Sequence, residues 1–494
     1  MNAPPLGFGI KFWYGIGQAA EGMKNSSFNA FLLIYYSQVL GVNAFWAGSV
    51  LLIALIFDAV TDPLTGSFTD SLRSRFGRRH GFMYAAVLPM TVTFYFAFNP
   101  PAGLDEPALF AWMLTWVVLA RAAMTLYHVP HLALGAELSE DYDERTRVVA
   151  FRNFFGFVGA ATLFATAYGV FMRPTPEFPS GQLNPAAYSP LGLWFGAAMG
   201  VLILVSALGT HSRIPYLARP VDSHRFSAAA PLRELVEALR NPSFRVFFVA
   251  LLIYFITRGV DSALGLYMGT YFWELGSRAV LVPIFGLVGV MAGTVAFAVR
   301  ARQMDKRSMM MVGIIGFSGI TLALPSSKLV GLFPPMDHTL YLPTIFFFTF
   351  VASIFGGAAL IAGGSMLADI ADEHELETGR RQEGVFFGAL SFSGKSAAGI
   401  GSWLAGLALA AIAFPLQAAP GEVDPWIVTK LALVYGPGML VLMVIGIAVL
   451  SRYNLTRERH KAIRVELEKR RGSRSAELPA GGVIATAAAA PRRS

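Results

Sequence analysis

Apolar residues in this chain gather in runs too long for the core of a soluble domain. A helix needs roughly 17–25 predominantly apolar residues to cross a bilayer. Runs of that kind lie near 11–40, 44–69, 82–98, 109–135, 148–172 and 191–208, and again near 244–273, 279–299, 309–324, 341–368, 385–414 and 427–450. The pattern predicts an all-α membrane protein with twelve transmembrane helices in two six-helix bundles. The expected bounds are an N-terminal bundle over 1–210, a cytoplasmic central loop over 211–243, a C-terminal bundle over 244–451 and a basic tail over 452–494. The central loop includes an amphipathic segment at 231–240, and the tail reads as helical to about Arg471 and disordered beyond.

The polar breaks alternate in charge. Arg73, Arg75, Arg78 and Arg79 share one side with Arg145 and Arg147, with Arg300, Arg302, Lys306 and Arg307, and with Arg380 and Arg381. The opposite loops at 40–43, 99–107 and 415–426 contain no Lys or Arg. By the positive-inside rule this bias places both termini in the cytoplasm of a multi-pass plasma (inner) membrane protein. The two halves also echo one another. Residues 134–152 run from apolar helix through Glu137, Asp141, Asp143 and Glu144 to Arg145, and residues 367–386 repeat the order with Asp369, Asp372, Glu373, Glu375, Arg380 and Arg381. Parallel repeats of six helices suggest two bundles rocking about a midplane site.

Composition agrees with the pattern: 55% of residues are hydrophobic and 14% charged, with a net charge of +8. Soluble domains carry roughly 25% charged residues. The basic excess sits in short loops and the tail, so no nucleic-acid partner is expected, and the chain is read as a monomer. Absence of cysteine excludes disulfides, thiolate metal sites and cysteine nucleophiles. Residues 1–9 lack the basic region and cleavage site of a removable signal peptide.

Ionisable groups inside membrane helices are costly and usually face a cavity. The second helix carries Asp58, Thr61 and Asp62; the carboxylates are four apart and share a face. Repulsion between them is relieved by a cation or a proton, and such oxygen ligands suit sodium rather than soft metals. The alternative is a helix end where Asp62, before Pro63, meets water. On the fourth helix Arg121, Thr125 and His128 form one face: Thr125 completes the oxygen set, and Arg121 partly neutralises it. His128 and His131 are too few for a zinc site. Glu21 with Lys24, and Arg258 with Asp261, can satisfy each other. Lys395 has no acidic partner within a turn, which marks it for a substrate or coupling role; the alternative is a lysine snorkelling to the interface. Setting the self-paired groups aside leaves two aspartates against Arg121, Arg152 and Lys395, an excess suited to an anionic substrate. No phosphate-binding loop is present, and no nucleophile–base pair marks an intramembrane enzyme. The reading is a secondary transporter without cofactor, with a sodium ion or proton as coupling ion; a channel is the other alternative.

The motifs FDAVTDPLTG at 57–66, RFGRR at 75–79, VPHLALGAEL at 129–138, ERTRVVAFR at 144–152 and ADIADEHELETGRRQEG at 368–384, followed by Lys395, resemble the glycoside–pentoside–hexuronide:cation symporter family of the major facilitator superfamily. The resemblance extends from Tyr14 to about Arg452. It implies the major facilitator fold and symport of a glycoside, uronide or related small anionic solute. It places the cation site on Asp58, Thr61, Asp62 and Thr125, and the substrate cavity on Glu21 or Gly22, Arg121, His128, Arg152 and Lys395. His128 stands where melibiose-carrier-like members have an acidic residue, and Leu132 and Leu360 stand at or near their stacking tryptophans. The run His128–Val129–Pro130 is similar to lysophospholipid symporters, which keeps a lipid substrate as the alternative.

Overall fold

Each of the twelve apolar runs forms a helix in the computed structural model, which describes residues 5–71, 76–139, 141–217, 233, 236–301, 303–379 and 383–477. The first six are α1 (Phe8–Ser27), α2 (Ala44–Ser71), α3 (Gly77–Ala97), α4 (Glu106–Glu137), α5 (Tyr142–Thr166) and α6 (Tyr188–Thr210). The second six are α7 (Pro242–Tyr267), α8 (Leu281–Arg300), α9 (Lys306–Leu329), α10 (Tyr341–Thr378), α11 (Glu383–Ala411) and α12 (Pro425–Leu450). A final helix, α13 (Arg457–Glu477), follows. Among the described residues nine helices are long and apolar enough to cross a membrane: α2, α4 to α10 and α12. The other three are more polar. Helix α1 carries Lys11, Glu21 and Lys24, α3 opens on Arg78, Arg79 and His80, and α11 holds Lys395 among serines and glycines.

Local chemistry sets the helix starts. Asp105, Asp141, Asn241, Asp305 and Asp424 each accept a hydrogen bond from a backbone N–H one turn into the following helix. The C-terminal ends of α1, α5 and α7 loosen into π turns at Phe28–Leu32, Ala167–Phe171 and Met268–Phe272. One expected boundary moves substantially. Helix α10 runs ten residues past its expected end at 368 and stops at Gly379, whose φ of 70° is the left-handed cap. The acidic residues read as loop are therefore on the helix and find partners there. Lys306 bonds Asp369 at 2.6 Å, Arg459 meets Glu373 at 2.7 Å, and His460 lies 3.0 Å from Asp372.

Those last two partners come from α13, which lays Ile463 and Leu467 on the second bundle beside Leu455 and Tyr453. Burial pushes the Tyr453 phenol up, with Asp369 and Glu373 adding to the effect. The helix continues to Glu477, past the expected Arg471, and carries Arg464–Glu468 and Glu466–Arg470 pairs one turn apart. The distal tail, Arg380 and Arg381, and residues 231, 232, 234 and 235 of the amphipathic segment lie outside the described residues.

Helix α1 packs on α5 and α6, α3 on α4 and α6, and α2 on α4; in the second half α8 and α9 pack on α10, and α11 and α12 on α7. Across the halves α2 meets α11 and α5 meets α8, so each second helix touches the other half's fifth. Equivalent positions are exchanged, as a parallel six-helix repeat requires. One apolar core spans the first bundle and reaches into the second through Tyr267, Met268, Tyr271 and Leu431, while the terminal end of the second bundle has its own core around Phe244, Met309 and Met366.

A close approach of two helix backbones inside the first bundle explains Gly22. A Cβ there would stand 2.2 Å from the Gly156 carbonyl oxygen, and one at Gly159 would stand 2.2 Å from the Ala19 carbonyl oxygen. Gly22 is thus a packing residue between α1 and α5, leaving Glu21 as the cavity candidate at this point. Gly22→Val is expected to push these helices apart at about 1–3 kcal/mol. Thermal melting of the detergent-purified protein would show a lowered midpoint, and an unchanged midpoint would contradict this packing.

Candidate functional site

Two helices running in the same direction bring the site together. Arg121 Nη1 donates to Asp58 Oδ2 at 2.5 Å and Thr125 Oγ1 donates to Asp62 Oδ1 at 2.8 Å, each pair 63 positions apart. The spacing of four on α2 matches the spacing of four on α4, giving two rungs. Asp58 and Arg121 are buried, and Asp62 is half-buried. Pro63 and Pro130 lack an N–H, so the carbonyls of Ala59 and Leu126 lack their usual intrahelical donor beside these rungs.

Lys395 supplies what its own helix could not. Its Nζ bonds Asp62 Oδ2 from α11, 333 positions away. Asp62 is therefore held by Thr125 of its own bundle and by Lys395 of the other. The second membrane-buried pair lies on α1: Lys24 Nζ and Asn25 Nδ2 both donate to Glu21 Oε1, at 3.4 and 2.9 Å. Acceptor oxygens remain free: Asp58 Oδ1 and Glu21 Oε2 are buried without a hydrogen-bond partner. An orphan carboxylate oxygen beside a shared carboxylate is a donor set that fits a small hard cation or a proton.

The other candidates fall in different places. Thr61 Oγ1 donates to the Phe57 carbonyl on its own helix at 3.0 Å, so its proton is directed away from the two rungs. His128 is half-buried, with Nδ1 lacking a partner. His131 Nε2 bonds the Tyr14 carbonyl at 2.8 Å, and its ring stacks between Tyr14 and Tyr127. Arg152 lies beside the Tyr14 phenol. The excess of one basic group is thereby assigned: Arg121 matches Asp58 and Lys395 matches Asp62, which leaves Arg152.

Two groups of residues escaped sequence reasoning. At the end opposite the termini the bundles are tied by Ser37 with Tyr267, Tyr271 with Gln38 at 3.0 Å, Gln38 with the Pro415 carbonyl at 3.1 Å and Gln182 with Thr270 at 2.9 Å. The polar run Tyr35–Tyr36–Ser37–Gln38 at a helix end was the available signal. At the terminal end, ion pairs close within each bundle: Lys11–Glu144 and Arg79–Glu137 in the first, Lys306–Asp369 and Arg459–Glu373 in the second. The second is a cavity of about 510 Å³ between the bundles, reaching into the C-terminal one, where Tyr435 joins Arg258, Asp261 and Leu360, which the sequence names only separately from any shared cavity.

Comparison with known proteins agrees with this architecture. A family model described as MFS/sugar transport protein matches residues 13–457, and the chain belongs to that family. It is a multi-pass membrane transporter, not an enzyme. The putative glycoside/cation symporter YagG of Escherichia coli strain K12 is 23% identical over 96% of this chain and 98% of its own. The glucuronide carrier protein homolog of the same strain is 24% identical over 93% of this chain and 95% of its own. Among solved structures, a D-xylose-proton symporter superposes with a TM-score of 0.60 at 13% identity, covering 90% of this chain and 96% of its own. At that identity the likeness shows the fold.

Proposed function

We propose that this protein is a monomeric, twelve-span symporter of the plasma (inner) membrane, with both termini cytoplasmic, that couples a sodium ion or proton to uptake of a glycoside or uronide. The observation that carries the reading is Asp62, shared between Thr125 and Lys395. In this conformation the Lys395 ammonium serves as the counter-charge that a coupling cation would otherwise provide. Arrival of that cation, or of a proton, at Asp62 weakens the hold on Lys395. The freed ammonium then contacts an anionic group of the substrate, with Glu21, His128 and Arg152 on the surrounding helices. Binding of cation and substrate is thereby linked through one lysine. The bundles are joined at the end opposite the termini, and the loop charge bias places that end outside. The conformation is the inward-facing one, and alternating access requires the outer ties at Ser37–Tyr267 and Gln38–Tyr271 to break.

Uptake of labelled glycosides and uronides into proteoliposomes tests the reading. Accumulation above equilibrium is expected under an inward sodium or proton gradient, and the effective gradient identifies the ion. No accumulation under either would contradict it. Orientation has a separate test because the chain contains no cysteine. Asp337→Cys, in the exposed loop after α9, should react with an impermeant maleimide on intact cells, and Ser473→Cys only after permeabilisation. The reverse pattern would overturn the orientation.

A further inference from the structure

Helix α10 carries two glycines that its packing does not need. A Cβ on Gly363 would meet only Leu251 Cδ1, at 3.8 Å, and one on Gly364 would meet nothing within 4 Å. Gly357, earlier in the helix, is different: a Cβ there would stand 2.4 Å from the Thr294 backbone nitrogen of α8. Glycine inside a helix is less stable than alanine because its backbone has more freedom to lose. Helices bend sharply where Gly and Ser adjoin, and Gly363, Gly364 and Ser365 are consecutive. The first half is weakened at the same level. Glu137 of α4 and Asp369 of α10 hold equivalent places, bonded by Arg79 and Lys306 from the starts of α3 and α9. Pro130 precedes Glu137 by seven residues, and Gly363 precedes Asp369 by six.

Beyond this point α10 continues to Thr378 and is held from several sides. Lys306 Nζ reaches the Ser365 carbonyl at 3.3 Å as well as Asp369, and Asn241 Nδ2 donates to Glu377 Oε2 at 3.0 Å. Helix α13 packs on the same segment, burying Ile463 and Leu467. It places Arg459 on Glu373, His460 on Asp372, and Arg470 Nη1 on the Leu376 carbonyl at 2.9 Å. These groups belong to the second bundle, to its first N-cap or to the tail. We propose that α10 bends at Gly363–Gly364 during transport, so that residues 365–378 swing across the cytoplasmic entrance, and that α13 is the clamp holding this segment open. The inference rests on the inward-facing reading above and adds a local hinge to the rocking of whole bundles. With the outer ends joined, the inner entrance stands open and has to close when the outer ties break. At 1.5 Å per residue the segment is about 21 Å long, and a bend of about 20° carries its tip about 7 Å. That movement draws Glu373 and Leu376 away from α13. Contacts made in only one of two states set the balance between them.

Spin-label distances in the reconstituted full-length protein test the hinge, since the chain has no cysteine to remove. Arg300→Cys with Thr378→Cys reports on α10 within the second bundle, and Arg147→Cys with Arg300→Cys reports on one bundle against the other; all three positions are exposed. Gln38→Ala removes its hydrogen bonds to Pro415, Tyr271 and Ala418 from the outer ties and should populate the cytoplasm-closed state. In that background both distances should gain a second population, the one between 300 and 378 displaced by about 7 Å. Adding Gly363→Ala and Gly364→Ala, for which both positions have room, should reduce the displaced population at least about fivefold without lowering the melting midpoint. Adding Leu467→Asp instead, which undocks α13, should raise the ratio of displaced to resting molecules at least about threefold. A change between 147 and 300 with the distance between 300 and 378 fixed, or a displaced population that the two alanines leave unaltered, would overturn the hinge while alternating access stands. An unchanged ratio in Leu467→Asp would overturn the clamp. If neither distance responds to Gln38→Ala, the inward-facing reading falls and the hinge with it.

Discussion

Asp62→Asn is expected to abolish gradient-driven accumulation while substrate exchange across the membrane continues. Asparagine keeps the size of the side chain and still accepts from Thr125, so the rung on α4 survives. It loses the charge that holds Lys395 and that the proposed mechanism offers to the coupling cation. Without that charge no cation is drawn in, and the substrate moves only down its own gradient. Asp58→Asn should fail in accumulation as well, but with an added structural penalty. Asp58 and Arg121 form a pair whose side chains are each 5% exposed. Removing one partner of a buried pair typically costs about 3–5 kcal/mol because the other charge is left uncompensated. The two variants should therefore separate: Asp62→Asn folds near normally and does not concentrate substrate, whereas Asp58→Asn also melts earlier. Accumulation and exchange assays alongside thermal melting distinguish them. Normal accumulation by both variants would remove the coupling site from these residues.

Lys395→Ala carries the second large effect. The lysine bridges the bundles to Asp62 in the empty protein and is assigned to the substrate once the cation displaces it. A hydrogen bond to a charged group contributes about 1.5–3 kcal/mol, so affinity for an anionic glycoside should fall at least about tenfold. The dependence of that affinity on the cation should also disappear, because the displaced group is gone. Neutral glycosides should lose less. Titration of a glucuronide with and without the cation reads both effects. Wild-type affinity with intact cation dependence would return Lys395 to a purely structural tie.

Much of this arrangement is legible in the amino-acid sequence, for identifiable reasons. Helical spacing puts Asp58 and Asp62 on one face and Arg121 and Thr125 on another, and the rungs use those faces. Long apolar runs locate the helices because composition alone dictates where a chain can enter lipid. What is not legible depends on distant partners. The acidic residues of α10 look like a loop, since Lys306, Arg459 and His460, which make them tolerable on a helix, lie far along the chain. Lys395 looks unpartnered for the same reason. The Arg258–Asp261 pair is readable, but its exposure to a cavity and its anchoring by Tyr435 and Phe317 require the packing of α7 against α9 and α12. Thr61 is readable only in part: its proton goes to the Phe57 carbonyl of its own helix, as threonine hydroxyls in helices commonly do, and its oxygen keeps its lone pairs.

Simultaneous recording of cation and substrate movement tests the coupling account most directly. With glycoside added to wild-type proteoliposomes at zero imposed gradient, the coupling ion should enter with the substrate, seen as an inward current on a supported membrane and as acidification or sodium rise in the lumen. Asp62→Asn should bind and exchange the same glycoside without either signal. Substrate entry into wild-type vesicles with no ion movement, or an undiminished ion signal in Asp62→Asn, would contradict it.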